Sequence, residues 1–245
     1  MSCRLSLLIP TYNESEIIAD TLGKTMFALD HIGMDYEVWV ADDGSQDGTV
    51  GEVNEFIRGL PDGRRSRVKI FEGVVNVGRG EVLHNAIPKS SGEIICFMDA
   101  DLATDLSHLK QLVGDIGSGS DVATGSRWMP GSDVERRFSR SFISYFYNLF
   151  IRLVFGSSVR DHQCGFKSFR RDKIIQLLDE TGVRENRLWA WDAEILVRAQ
   201  KHGYSVSEFP VKWRSGRKSD FRYVRDITRI GLYLIGLYFR MKREY

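Results

Sequence analysis

Ile94-Ile95-Cys96-Phe97-Met98 is an unbroken apolar run, and Asp99-Ala100-Asp101-Leu102-Ala103-Thr104 comes directly after it. An apolar run this short, with no polar alternation, suits a strand buried on both faces of a parallel sheet. It ends abruptly in two carboxylates separated by one small residue. Ligands of open α/β sheets sit outside the carboxyl ends of the strands, so Asp99 and Asp101 fall where a ligand is expected. Two anionic groups there repel each other unless something positive lies between them. A hard divalent cation shared with phosphate oxygens would supply that charge. Taken alone, the same residues also read as a strand-end turn with two solvated aspartates.

Working outward, strand and helix signals alternate. Leu5–Ile9 predicts a first strand, closed by Pro10, which cannot donate to a ladder; Asn13 is placed to cap the next helix. Ile17, Ile18, Leu22, Met26 and Leu29 give helical spacing from Ser15 to about Leu29. Tyr36–Ala41 predicts a second strand, then a turn-rich loop, Asp42 to Thr49, that caps a short helix to about Arg58. Leu60–Arg67 is a polar surface loop and Val68–Phe71 a third strand. Gly73–Gly80 opens a helix running to Ile87, Leu106–Ile116 predicts another helix, and Val122–Gly125 a fifth strand. Such alternation predicts a parallel, doubly wound sheet. It stops near Arg127. Beyond lie an aromatic, basic helix (Phe138–Phe155), a loop (Gly156–Cys164), helices around Ile174 and Trp191, a strand near Ser205–Val211, and a basic tail.

At 245 residues the chain is one large domain, or one with an appendage, and it can bury a sizeable core. Its 42% hydrophobic and 27% charged residues are those of an ordinary globular protein. Charge is uneven. Residues 212–245 carry +7, from ten basic and three acidic residues, leaving −6 elsewhere in a chain of formal net charge +1. A basic end on an acidic body suggests an anionic partner, membrane surface or phosphate rather than nucleic acid. The three cysteines, Cys3, Cys96 and Cys164, form no C-x-x-C pair, so neither a disulfide framework nor a zinc site is supported. The apolar run at Leu5–Ile9 is a strand and not a signal peptide, and no apolar run approaches the roughly 18 residues a spanning helix needs.

In a parallel sheet, Glu14, the pair Asp42 and Asp43, and the pair Asp99 and Asp101 would converge on one edge. Pro10-Thr-Tyr-Asn-Glu14, Asp42-Asp43-Gly44-Ser45-x-Asp47-Gly48-Thr49, Asn76-x-Gly78-Arg79-Gly80 and Asp99-Ala-Asp101 resemble, in order, the motifs of family 2 glycosyltransferases with the GT-A fold. The likeness is close over residues 5–127. In the second half, Arg160-Asp161-x-Gln163-Cys164-Gly165-Phe166-Lys167 and Trp191-Asp192-x-Glu194 look like the polyprenyl (dolichyl) phosphate hexosyltransferases, and most like the dolichyl-phosphate β-glucosyltransferase branch. In the sister mannose synthase branch a metal-binding Gln usually stands where this chain has Ala103. That departure pulls the expected sugar toward glucose or N-acetylglucosamine, with GDP-mannose the alternative.

The resemblance implies a GT-A domain over 1–219, with a nucleotide-binding half (1–127) and an acceptor half (128–219), then a basic amphipathic helix over 220–245. It implies an inverting transfer from a nucleotide-diphosphate sugar to polyprenyl phosphate, with a family 2 transferase acting on a soluble saccharide, and Asp192 as its base, as the alternative. Pro10, Tyr12 and Glu14 would hold base and ribose, Asp42 would accept from the base, and Arg79 would contact the base or a phosphate. Asp99 and Asp101 would place Mg²⁺ or Mn²⁺ against the diphosphate, a Lewis-acid role. Arg127 would clamp a phosphate, Gln163 would belong to the donor site and Lys167 would face a phosphate. Arg214, Lys218 and Ser219, in a basic flexible loop, would meet the donor or acceptor phosphate. Asp192 is either a general base or an orienter; a lipid phosphate, with a second pKa of about 6, is already anionic at neutral pH and needs no strong base. Cys164 and His162 read as packing and structural residues.

Two segments suit a helix lying in a membrane interface. Phe138–Phe155 carries Phe142, Phe146, Leu149, Phe150, Leu153 and Val154, and in 220–245 an apolar run, Ile230–Phe239, lies between basic residues. The same faces also suit a core helix or a homodimer seam. The expected location is peripheral, at the cytoplasmic face of a membrane.

Overall fold

The structure of the protein is a computed structural model that describes residues 5–135, 138–181, 190–214 and 223–244, with the side chains of 138–141 and 223–228 left undescribed. Strands β1 (Leu5–Thr11), β2 (Tyr36–Asp42), β3 (Val68–Glu72), β4 (Ile94–Phe97), β5 (Val122–Ser126), β7 (Lys167–Arg170) and β8 (Val206–Pro210) form one sheet in the order β3-β2-β1-β4-β7-β5-β8. All its pairings are parallel except those of β7, which runs against both β4 and β5. The expected mostly parallel α/β sheet is therefore present. Short strands β6 (Asp133–Glu135) and β9 (Lys212–Arg214) pair in a second, two-stranded sheet.

Residue alternation on the central strands explains why the apolar run lacks polar partners. Ile94, Cys96 and Met98 enter one core cluster while Ile95 and Phe97 enter another. The first cluster is covered by α1 (Ile18–Asp30), α2 (Thr49–Gly59) and α5 (Leu109–Gly117) through Leu22, Met26, Val53 and Leu112. The second is covered by α4 (Arg79–Ala86), α7 (Arg171–Thr181) and α8 (Ala190–Lys201) through Val82, Leu83, Ile174, Leu177, Trp191 and Ile195. Both faces of the strand exclude water, so both sets of side chains are apolar.

A further layer lies outside α8. Helices α6 (Phe138–Phe155) and α9 (Tyr223–Glu244) pack on it through Ile151, Phe155, Ile230, Leu234, Leu237 and Met241. The α9 residues recur at helical spacing and form its inner stripe. The opposite faces remain exposed, with Phe142, Phe146 and Leu153 on α6 and Leu232, Ile235 and Phe239 on α9. Both helices thus have a core face and a bare apolar face. No helix among the described residues is long and apolar enough to cross a membrane.

Two expectations for the first half are corrected. α1 starts at Ile18 and has no side-chain cap. Asn13 instead takes a left-handed backbone (φ 56°), and its Oδ1 accepts from the Gln46 amide. The loop Leu60–Arg67 contains one helical turn, α3 (Asp62–Arg65).

Candidate active site

The chain reverses its direction of travel across the sheet at β1, whose neighbours are β2 and β4. In open α/β sheets ligands bind beyond the strand ends at such a switch point. The Asp99-to-Ala103 loop lies there, at the end of β4. Its turn is closed by the Leu102 amide on the Asp99 carbonyl (3.3 Å) and the Ala103 amide on Asp101 Oδ1 (3.0 Å), with Leu102 in a left-handed conformation (φ 51°). Thr21 Oγ1 of α1 donates to the Ala100 carbonyl (2.7 Å), fixing the loop from behind. The loop is also held from the front. Arg214 donates its amide to the Ala103 carbonyl (2.8 Å), and the Asp105 amide donates to the Lys212 carbonyl (3.0 Å).

The reversed strand β7 borders the same edge. Because it is antiparallel, its first residue, Lys167, pairs with Phe97 at the end of β4. The preceding segment, Asp161 to Phe166, is thereby carried past Asp99. Gly165 is so close that a Cβ built on it would stand 2.5 Å from Asp99 Oδ1 and closer still to Oδ2. Only a residue without a side chain allows that approach.

Charge at the site is paired internally. Arg79, the first residue of α4, donates from Nε to Asp99 Oδ1 (2.9 Å) and from Nη1 to Asp192 Oδ2 (2.5 Å). Its Nη2 is buried and has no partner among the described residues. Lys167 Nζ donates to Asp192 Oδ1 (2.8 Å) and to the carbonyls of His162 and Cys164. Asp192, in the first turn of α8, therefore binds a cation at each oxygen. The expectation that Lys167 faces a phosphate is corrected. Its side chain is fully buried, and the three donors of an ammonium already have three acceptors. Arg79 likewise engages two carboxylates. Trp191, fully buried beside Asp192, packs on Phe97 and against Gly80.

Arg127 is also committed. Nε and Nη2 form a fork onto Asp161 (2.7 and 2.8 Å), and its amide adds a third bond (3.0 Å). Its guanidinium lies over Trp213, 5.5 Å from the ring centre. Burial works to raise the Asp161 pKa, but Arg127 outweighs it and holds the carboxyl at about 2. The expectation of a phosphate clamp is corrected to a buried bidentate pair that fixes the start of the Asp161-to-Lys167 segment. Gln163, half-buried, gives its amide to Asp161 (3.1 Å) and accepts from Ser144 of α6 (2.8 Å). Arg214 pairs with Asp133 and Glu135 of β6, so its side chain braces the small sheet. Lys218 and Ser219 lie outside the described residues.

At the β1 and β2 ends, Asp42 is buried and both its oxygens accept from its own neighbourhood, from the Gly44 and Ser45 amides and the Ser45 and Thr11 hydroxyls. The expectation that Asp42 accepts from a base is corrected to this turn-closing role. Asp43 accepts from the amides of Val77 (2.8 Å) and Gly78 (2.7 Å), tying the second motif to the third; burial raises its pKa. Burial also pushes upward on Asp47, but donors from Thr49 and Ser15 hold it at about 2. Tyr12 is exposed, and Pro10 and Glu14 are half-buried on the same edge. Cys164 is buried, and desolvation lifts its thiol to about 11, which agrees with packing. His162 is buried between Ser157 and Asn148, and desolvation drops it to about 3, which agrees with a neutral structural residue.

Asp99 and Asp101 offer a hard cation two carboxylates from one rigid loop. Among the described residues no group of three His, Cys, Asp or Glu side chains is placed to hold a metal ion. The Ala103 methyl adds no ligand. The donor set fits an oxygen-seeking ion that takes the rest of its shell from a bound diphosphate, as Mg²⁺ does.

The family model described as glycosyl transferase family 2 matches residues 6–178. The chain belongs to that family. Its class is therefore glycosyltransferase, on the GT-A fold that the motif order implied. This family 2 chain is similar to glycosyltransferase AglD of Haloferax volcanii, 37% identical over 240 residues covering 97% of this chain and 37% of AglD. The chain thus spans little over a third of that relative's length. It is also similar to a dolichyl-phosphate beta-glucosyltransferase of Dictyostelium discoideum, 29% identical over 96% of this chain and 76% of the relative. Among solved structures, glucosyl-3-phosphoglycerate synthase from Mycobacterium tuberculosis, in complex with Mn²⁺, UDP and phosphoglyceric acid, aligns with a TM-score of 0.67 at 18% identity. That alignment covers 95% of this chain and 76% of the synthase and carries the fold alone.

Two features of the family 2 site are hidden in the sequence. The partner that joins Asp99 to Asp192 is Arg79, whose motif position gives no hint of a bridge. The strand that delivers Gly165 and Lys167 to the site is four residues long, with a charged residue at each end.

Proposed function

We propose that the chain transfers a hexose, glucose or N-acetylglucosamine, from a nucleotide-diphosphate sugar to polyprenyl phosphate, with inversion at the anomeric carbon. The observation that carries the reading is the Asp99-to-Asp101 loop at the switch point, walled by Gly165 and backed by the Arg79–Asp192–Lys167 cluster. The names of the relatives support the acceptor, and Ala103 supports the sugar.

Asp99 and Asp101 would hold Mg²⁺ or Mn²⁺, which when bound supplies Lewis-acid neutralisation of the leaving diphosphate. Pro10, Tyr12 and Glu14 would cradle the nucleoside on the β1 edge. Asp192 is better suited to orienting than to proton abstraction, because each oxygen accepts from a cation. An acceptor phosphate is anionic at neutral pH and attacks without a base. Catalysis then rests on positioning and charge neutralisation. The bare faces of α6 and α9, with the basic residues of 212–245, would rest on an anionic membrane surface as a peripheral attachment at the cytoplasmic face.

The test is a radiolabel transfer assay with UDP-glucose, UDP-N-acetylglucosamine and GDP-mannose offered separately, with polyprenyl phosphate in detergent. Label should enter the organic phase from one UDP-sugar and be lost on chelation. Transfer from GDP-mannose alone would overturn the sugar; label only in water-soluble products would overturn the acceptor.

A further inference from the structure

Arg79 presents an arrangement that the transfer reaction does not by itself explain. Its Nε occupies Asp99 Oδ1, an oxygen of the carboxylate that, in the proposed function, serves a divalent cation. Gly165 lies close against the other Asp99 oxygen. A cation that approaches Asp99 therefore meets a guanidinium already seated on it. Two like charges at one carboxylate disfavour each other, and burial strengthens the effect because the Arg79 side chain is 18% exposed. Arg79 also has somewhere to go. Its Nη1 stays on Asp192, and its buried Nη2 lacks an acceptor among the described residues. A buried unpaired donor is unfavourable until an acceptor reaches it. A diphosphate oxygen is such an acceptor.

We propose that Arg79 is an internal counter-cation for Asp99 that must be displaced before the metal binds, and that the nucleoside diphosphate is what draws it off. This inference rests on the metal reading of Asp99 and Asp101. Arg79 is then a positioning residue. It keeps the two-carboxylate loop and Asp192 in register without metal, makes metal binding weak in the absence of nucleotide, and couples the two ligands. Such coupling is reciprocal, so each ligand must tighten the other by the same factor. The shortage of a third protein ligand among the described residues works in the same direction, since the diphosphate must complete the coordination shell.

The test is Mn²⁺ binding, measured by titration calorimetry and by the electron spin resonance of free Mn²⁺, on the whole chain without any sugar transfer. Wild type, Arg79→Met, Arg79→Gln and Arg79→Lys are compared with Mn²⁺ alone and with saturating UDP or GDP. Thermal melting confirms that each variant is folded, and Arg79→Gln carries the comparison if Arg79→Met is not. The expected result is that both charge-removing variants bind Mn²⁺ alone at least about tenfold more tightly than wild type, the gain from removing a like charge at one carboxylate. Their coupling to the nucleotide should fall by a similar factor, while Arg79→Lys should stay near wild type. Equal or weaker Mn²⁺ binding by both charge-removing variants would overturn the role of Arg79. Absence of Mn²⁺ binding in every protein, with and without nucleotide, would instead overturn the metal reading on which it rests.

Discussion

Replacing Gly165 by alanine adds one methyl group at the tightest point of the site. The new Cβ would stand 2.5 Å from Asp99 Oδ1 and closer still to Cγ and Oδ2. Contacts below 3.0 Å are not tolerated by real Cβ atoms, so the carboxylate, the β7 approach segment or both must move by about 1 Å. Asp99 is the more yielding, because Phe166 and Lys167 are buried on either face of the sheet. A shift of that size breaks the 2.9 Å bond from Arg79. Misplacing a catalytic group by about 1 Å can lower turnover about a hundredfold. Overpacking itself costs about 1–3 kcal/mol. The expected outcome for Gly165→Ala is a folded protein with a modestly lowered melting temperature and a loss of kcat of about two decades. Steady-state transfer kinetics at saturating Mn²⁺, with calorimetric melting, measure both. A Gly165→Ala enzyme with wild-type turnover would show that the crowding at Asp99 has no bearing on the chemistry.

Other contacts make further predictions. Lys167→Met leaves Asp192 buried against a single cation, so stability should fall by about 3–5 kcal/mol in urea unfolding, and a loss below about 1 kcal/mol would refute the pairing. Gly80→Ala would place a Cβ 2.5 Å from Trp191 Cγ, so turnover should drop through displacement of Trp191 and Asp192, visible as altered tryptophan fluorescence together with lowered kcat. Glu37 supplies a pH-dependent stability: burial works to raise its pKa, but Lys69, Ser6 and Ser91 overcome it and bring the carboxyl from 4.5 to about 2. A depressed folded-state pKa stabilises the fold above the unfolded value and stops doing so as pH falls toward the folded one. Glu37→Gln should therefore cost about 3 kcal/mol at pH 7. The gap to wild type should shrink between about pH 5 and 2 and close below that. A gap that persists unchanged at low pH would contradict the assignment.

The parallel half of the fold is legible because its signals are local. The strands β1 to β5 are short apolar runs ended by turn residues, and the helices between them carry clear apolar stripes. β7 escapes a sequence reading because Lys167-Ser168-Phe169-Arg170 is flanked by charges and passes into α7 without a turn residue. Its strand character comes from the slot between β4 and β5, which no local pattern encodes. The same gap hides the wiring of the site. The two aspartates of the β4 loop are readable from one stretch. The pairing of Asp192 with Lys167 and Arg79 depends on an antiparallel strand, a helix start and a second helix start meeting in space. Arg127 looks like a free cation in the sequence because its acceptor, Asp161, lies in a different segment. The aromatic helices suit either core or interface by pattern, and each has both, on opposite faces.

The most direct measurement is lipid-linked sugar formed by the purified chain and by its Asp101→Ala variant, with one nucleotide sugar, polyprenyl phosphate and Mn²⁺. The account requires label in the organic phase with wild type and a fall of at least about a hundredfold with the variant, whose fold should persist with a melting temperature lowered only by the loss of the Asp101–Ala103 turn bond, about 1 kcal/mol. Equal transfer by the two proteins, or lipid-linked label from neither while sugar passes to a soluble acceptor, would contradict it.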